Sequence, residues 1–159
     1  MELEGLRRGT SCTGPPELSA LHCLDTKDLR QFTDLVNTGE PLPLPPSHWL
    51  NTALEGRAGR TLLLESIARG LDSFTDTLLR AGAGADLYSE ELGGAPLHAA
   101  ARAGDQAAVR LLLNERGGRS SNVADINRAD KHGRTALHIA AERADLGLLR
   151  LLLALPGIR

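Results

Sequence analysis

The stretch Asp130-Lys131-His132-Gly133-Arg134-Thr135-Ala136-Leu137-His138-Ile139-Ala140-Ala141 decides the fold. An Asp-x-x-Gly turn runs straight into Thr-Ala-Leu-His and a row of small and aliphatic residues. After a break at Ala144-Asp145, a second apolar segment runs from Leu146 to Leu155. Turn, helix, tight turn, helix is one structural unit. The unit recurs upstream. Gly93-Gly94-Ala95-Pro96-Leu97-His98-Ala99-Ala100-Ala101 aligns with it without a gap, and His98 and His138 are 40 residues apart. A third, worn copy places Gly59-Arg60-Thr61 over Gly133-Arg134-Thr135, Leu63 under Leu137, Gly70 under Ala144, and Leu64 where the other two carry histidine.

Repetition at about 33 residues with a Thr-Pro-Leu-His-like start resembles the ankyrin-repeat family. The resemblance covers roughly residues 57–159 and implies an all-α ankyrin-repeat helical solenoid with projecting finger loops. Its signature positions here are Thr61, Leu63, Pro96, Leu97, His98, Gly133, Thr135, Leu137 and His138. In that family the histidine bonds backbone and the signature threonine and ties neighbouring units together. Ala95, in place of threonine, removes one partner of that bond. A solenoid fold carries no chemistry of its own, so function rests on surface residues.

The units are expected as a flexible N-terminus at 1–15, a helical cap or degenerate repeat at 16–39, and a Pro-rich linker at 40–48. A degenerate repeat at 49–87, a repeat with an inserted loop at 88–122 and a repeat at 123–159 follow. The last helix is apolar on nearly every side, which points to further repeats in a parent protein. In 16–39, Leu18, Leu21, Leu29, Phe32 and Val36 recur at helical steps. Asp25-Thr26 is expected to divide the segment into two helices and to cap the second, and Gly39 to end it. Shifted by 77 residues, Lys27-Asp28 falls on Gly104-Asp105. Pro43 and Pro46 form a PxxP in a segment that reads as a stiff polyproline spacer. A helix from Ser47 to Glu55 is expected to pack Trp49, Leu50, Ala53 and Leu54 on the stack. Gly82 and Gly84 are expected to end the helix before them. Val123 stands where the family has glycine. Asn114 to Asn122 lengthens the third period as a binding loop or as slack.

Composition narrows the function. Hydrophobic residues make up 42 % of the chain but aromatics only 3 %, so the core is Leu and Ala, and base-stacking platforms are scarce. The formal net charge of −2 provides no basic field for nucleic acid. Cys12 and Cys23 have no metal or redox spacing and read as reduced thiols of a cytoplasmic protein. No apolar run is long enough to span a bilayer, so this segment itself makes no membrane contact. No Ser-His-Asp set, CxxC, HExxH or phosphate loop is present. The neighbours of His98 and His138 are Ala, Leu and Ile, which supply neither a nucleophile nor further metal ligands. Hence no catalytic residue, metal or cofactor is expected. Asp105 and Asp145 read as helix caps, and Asp125 and Asp130 as solvated loop residues.

The expected function is a non-catalytic protein–protein interaction module of a larger protein. Candidate partner-binding residues are Tyr88, Glu90 and Glu91 on one finger and Arg128, Lys131 and His132 on the next, with Arg102 and Arg143 on the inner helices. Two narrower resemblances exist. Thr26-Lys27-Asp28-Leu29-Arg30-Gln31-Phe32-Thr33-Asp34-Leu35-Val36-Asn37-Thr38-Gly39 is similar to the N-terminus of insect painless-type transient receptor potential channels. It implies the cytosolic ankyrin region of a tetrameric, sensory cation channel. Lys131 to His138 resembles repeats of NF-κB inhibitors, which implies a regulator of that kind.

Overall fold

The computed structural model describes residues 16–37, 50–54, 60–90, 92–113, 123–155 and 158. The N-terminal segment 1–15, Gly39, the Pro-rich run with its PxxP, Trp49, Glu91, the 114–122 loop and the Pro156-Gly157 stop lie outside them.

Eight helices are named among the described residues: α1 (Pro16–Thr26), α2 (Leu29–Asn37), α3 (Leu62–Ala68), α4 (Asp72–Arg80), α5 (Pro96–Ala103), α6 (Gln106–Leu112), α7 (Ala136–Glu142) and α8 (Leu146–Leu153). Each odd helix pairs with the even helix after it. The odd helices stack in one row and the even helices in a second. Among the described residues there is no strand; one isolated bridge joins Ser89 and Gly94. None of these helices is long and apolar enough to cross a membrane. The fold is an all-α repeat solenoid.

Short helices explain the architecture. Helices of seven to eleven residues are marginal alone and gain stability from packing an apolar face. Here Leu62, Leu63, Ile67, Leu97, Ala100, Ala101, Ala136 and Ala140 line the first row, and Leu78, Val109, Leu112, Leu148 and Leu152 the second, all buried. Full burial of each large aliphatic side chain contributes about 1.5–3 kcal/mol. The chain's two phenylalanines join the first pair to the second: the Phe32 and Phe74 rings meet at 5.1 Å with planes tilted by 56°.

Each helix pair turns on one left-handed residue, at equivalent positions: Lys27 (φ 57°), Gly70 (64°), Gly104 (76°) and Ala144 (55°). The next residue caps the second helix where it can. Asp28 Oδ1 accepts from Gln31 N at 3.0 Å, Asp105 Oδ1 from Ala108 N at 3.0 Å, and Asp145 Oδ1 from Leu148 N at 2.9 Å. Leu71 occupies the same place and provides no side-chain cap. The first helical segment therefore breaks at Lys27-Asp28, two residues beyond the expected Asp25-Thr26. Thr26 instead donates its hydroxyl to the His22 carbonyl at 2.9 Å within α1, while Asp25 pairs with Arg69 of the next unit.

Two further expectations are corrected. The helix expected to reach Glu55 stops at Leu50. Leu54 N donates to Arg60 O at 2.8 Å, and Asn51 Oδ1 accepts from Gly84 N at 2.7 Å, so this segment straightens to bridge the first and second helix rows; Ala53 is exposed. After α4 only Gly82 takes positive φ (94°). Gly84 instead lies under Leu87, whose side chain leaves no room for a Cβ. Val123 needs no glycine: its φ is not positive, and the turn after it is held by Asp125 Oδ1 accepting from Asn127 N at 2.9 Å.

Alanine in the left-handed region costs about 1 kcal/mol relative to glycine. Ala144 is exposed, and glycine already stands at the matching position 104. Ala144→Gly is expected to stabilise the fold by about 1 kcal/mol. In a thermal melt the midpoint rises by roughly 3 °C; a fall would contradict this account of the turns.

Candidate functional site

Among the described residues two fingers project between the units. In the first, Ser89 and Gly94 exchange backbone bonds of 3.0 and 3.1 Å. In the second, Asp130 N donates to Arg134 O at 2.8 Å and Gly133 N to Asp130 O at 3.0 Å. Lys131 N donates to Gly93 O at 3.0 Å and joins the fingertips. The Lys131 stem lies so close over Gly93 (φ 63°) that a Cβ there would come within 2.2 Å of its Cδ. A side chain there would be strained at that φ and would have to displace the Lys131 stem.

Asp130 anchors the second finger. Its side chain has 0 % exposure, which overturns the expectation of a solvated loop carboxylate. Oδ1 accepts from the N–H groups of His132 (2.8 Å) and Arg134 (3.0 Å). Oδ2 accepts from the Arg134 guanidinium (3.0 and 3.2 Å) and from Arg102 (3.1 Å). Burial alone pushes this carboxyl's pKa up, but the backbone N–H groups and the two guanidinium groups overrule it and hold it far below the usual carboxylate range. Arg102 also donates to the Leu92 carbonyl at 3.2 Å, so α5 braces both fingers at once.

His98 is the joint between units. Its Nδ1 accepts from Ala95 N at 3.1 Å, which assigns the ring proton to Nε2. Nε2–H donates to the Arg128 carbonyl of the next finger at 2.9 Å. His98 is 1 % exposed, and burial lowers its pKa. The Arg128 side chain folds back over the Tyr88 ring, 5.7 Å from its centroid, and donates to the Asp86 carbonyl at 3.1 Å and to the Asp86 carboxylate. His138 repeats the local geometry, with Nδ1 taking the Thr135 N–H at 3.2 Å and the Thr135 hydroxyl at 2.9 Å, but its ring is exposed. In the earlier unit Ala95 has no hydroxyl to give. In the unit before that, Thr61 Oγ1 accepts from Leu64 N, and Leu64 takes the histidine's place as a buried apolar side chain.

The signature residues Thr61, Leu63, Pro96, Leu97 and His98 are buried; Thr135 and Leu137 are half-buried; Gly133 and His138 are exposed. Of the candidate partner-binding residues, Tyr88, Glu90, Lys131, His132 and Arg143 are exposed. Arg102 and Arg128 are half-buried, with their charges engaged inside the molecule. The composition of single segments did not reveal Asp130 or Asp86 as anchors, nor Glu65, a buried carboxylate bonded to Arg60 and Arg69 while Arg69 reaches Asp25 at 2.6 Å. Asp-x-x-x-Arg across residues 130–134 was the one local hint. Among the described residues no cluster of His, Cys, Asp and Glu could hold a metal ion.

A family model for ankyrin repeats, in 3 copies, matches residues 59–159, and the chain belongs to the ankyrin-repeat family. No curated protein matches the chain.

The fold's titration follows from these contacts. His98 holds a proton less readily folded than unfolded, so its stabilising contribution is complete above pH ~6.5 and is lost as pH falls through its lowered pKa. Asp130 acts likewise, from pH ~3.9 downward. Asp72 acts in reverse: burial and the neighbouring Asp105 carboxylate raise its pKa, so its ionised form weakens the fold above its unfolded pKa. Urea titrations are expected to show stability falling from pH 6.5 to 5.0, with the slope flattened in His98→Gln. An equal slope in both proteins would rule out His98 as the group responsible.

Proposed function

We propose that the chain is a non-catalytic module that binds a protein partner across its joined fingertips and the neighbouring ends of the first-row helices. The observation that carries this reading is a division of labour among the charged residues. Arg102, Arg128, Arg134, Asp86 and Asp130 are bonded to one another and to backbone, and they hold the fingers in place. Tyr88, Glu90, Lys131 and His132 are exposed on that scaffold. A preorganised surface loses little freedom on binding, and an aromatic residue flanked by charges of both signs suits a mixed polar partner surface. In this reading Tyr88, Glu90, Lys131 and His132 make contact, Arg143 extends the face along α7, and Arg102 and Arg128 support it. Glu91 belongs to the same finger by sequence.

The narrower readings, a cytosolic channel domain or an NF-κB inhibitor, rest on residues 26–39 and 131–138. In those segments Lys27 makes the turn, Asp28 caps a helix, Phe32 fills the core and His138 caps α7. Such residues serve stacking in any member of the family, so the likenesses favour neither reading over the general one.

Selection of binders from a displayed-peptide library, followed by chemical-shift mapping, tests the proposal. Perturbations are expected at Tyr88, Glu90, Lys131 and His132. Lys131→Glu is expected to weaken binding about tenfold with an unchanged melting temperature, and Arg150→Glu on α8 to leave it unaltered. Binders that map to α4, α6 and α8 would refute the assignment.

A further inference from the structure

Tyr88 is the chain's one tyrosine, and its hydroxyl stands apart from the hydroxyls around it. It lies in the first finger outside any helix, 38 % exposed, next to an exposed Leu87. Among the described residues its N–H and carbonyl enter no backbone hydrogen bond, and its hydroxyl has no partner. By contrast, Thr26, Thr33 and Thr77 donate their hydroxyls to carbonyls of their own helices. The adjacent Ser89 is buried, with its Oγ accepting from Leu92 N at 3.4 Å. An enzyme that modifies a side chain must seat the backbone around it, so a hydroxyl on an unpaired loop segment is the one within reach.

Charge around Tyr88 is one-sided along the chain. From Ala81 to Ala101 the sequence has Asp86, Glu90 and Glu91 and no lysine or arginine. A cation reaches the ring from the second finger, where Arg128 Cζ lies 5.7 Å from the ring centroid. Arg128 is tied to Asp86 through Nη1 alone, which donates to both its carbonyl and its carboxylate. Among the described residues Nε–H and Nη2–H donate to nothing. A guanidinium presents its donors as a fork, and this free edge is the one that takes a phosphate through two parallel bonds. His98 fixes the Arg128 backbone by bonding its carbonyl, so the fork stands beside the ring before any anion arrives.

We propose that Tyr88 is a phosphorylation site for a tyrosine kinase with a basic substrate groove, and that Arg128 receives the phosphate on its free Nε–Nη2 edge. In the transfer, Tyr88 Oη attacks the γ-phosphorus of the kinase-bound nucleoside triphosphate. The Oη–P bond forms as the bond from that phosphorus to the bridging oxygen breaks. The nucleoside diphosphate leaves, and the phenolic proton passes to the kinase's general base. The acidic segment complements such a groove. The product group has a charge of about −1.5 to −2 and three acceptor oxygens. Glu90 is exposed, so its repulsion is screened, whereas Arg128 meets the phosphate in direct contact. The modified side chain thereby ties the first finger to the second at a further point. The site shares Tyr88 with the fingertip face but does not depend on that face having a partner.

The test incubates the full chain, and a peptide of residues 84–95 as reference, with ATP and a tyrosine kinase that prefers acidic substrates. The folded chain is expected to take up one phosphoryl group, read by intact mass, within about tenfold of the peptide's rate; were unfolding needed first, the rate would fall about a thousandfold or more. Tyr88→Phe is expected to take up none. Phosphorus resonance then follows the second ionisation of the phosphate, which lies near pH ~6 in the peptide. In the folded chain it is expected at a pH about 0.5 lower, because the peptide has the same carboxylates but no Arg128. Arg128→Gln is expected to abolish that difference. Asp86→Asn, made in both chain and peptide, frees Arg128 from its competing carboxylate and is expected to widen it, which decides the matter even if Arg128→Gln does not fold. Modification only at the rate set by unfolding, or a phosphate that titrates in the chain as in the peptide, would overturn the proposal.

Discussion

The hydrogen bond from His98 Nε2 to the Arg128 carbonyl at 2.9 Å joins a helix to the finger of the next unit, thirty residues on. It needs the neutral ring, with the proton on Nε2 and Nδ1 turned toward the Ala95 N–H. It also needs the ring buried, since water would compete for both nitrogens. Burial in turn needs the leucine and alanine faces of α5 and α7 in contact. A buried backbone carbonyl left without a donor costs about 1–3 kcal/mol, comparable to a lost large side chain in the core. The joint therefore specifies register where the apolar surfaces provide only attraction. In the preceding unit Leu64 takes the same place, and its junction with the next unit relies on apolar packing there; the junction before it has the Phe32–Phe74 contact and the Asp25–Arg69–Glu65 ion pairs.

Charge in this molecule works mainly at fixed positions. Asp130 is costly to bury, and it is stable there because it receives two N–H groups and two guanidinium groups. Breaking that set would leave Arg102 bonded to the first finger alone, through Leu92 O, and only the Lys131 N–Gly93 O bond would then tie the fingertips. The finger side chains that face water depend on this support for their position, and the rigidity needed for recognition comes from residues that a partner does not touch.

The helix pairs were legible in the sequence because their determinants are local. Asp105 and Asp145 cap helices through bonds to groups three residues away, and a pattern that repeats at fixed spacing exposes such positions. The 77-residue shift that sets Lys27-Asp28 on Gly104-Asp105 anticipated the left-handed turn and the cap of the first pair better than the propensity of Asp25-Thr26 did. What stayed hidden depends on contacts across units. Asp130 reads as a surface carboxylate until Arg102, 28 positions earlier, is seen beside it. Arg128 reads as an exposed finger charge until the Tyr88 ring and the Asp86 carboxylate are seen to hold it. Helical periodicity runs on past Leu50, but Asn51 bonds Gly84, a partner that such periodicity cannot foresee.

The joint between the third and fourth helix pairs turns on the state of one imidazole. Two-bond proton–nitrogen correlation spectra of the labelled protein at neutral pH report which ring nitrogen carries the proton. His98 is expected as the Nε2–H tautomer, with that proton in slow exchange and unchanged as the pH is lowered past 6.5. An Nδ1–H tautomer, or a ring that titrates like a solvated histidine, would show that the units are not joined in this way.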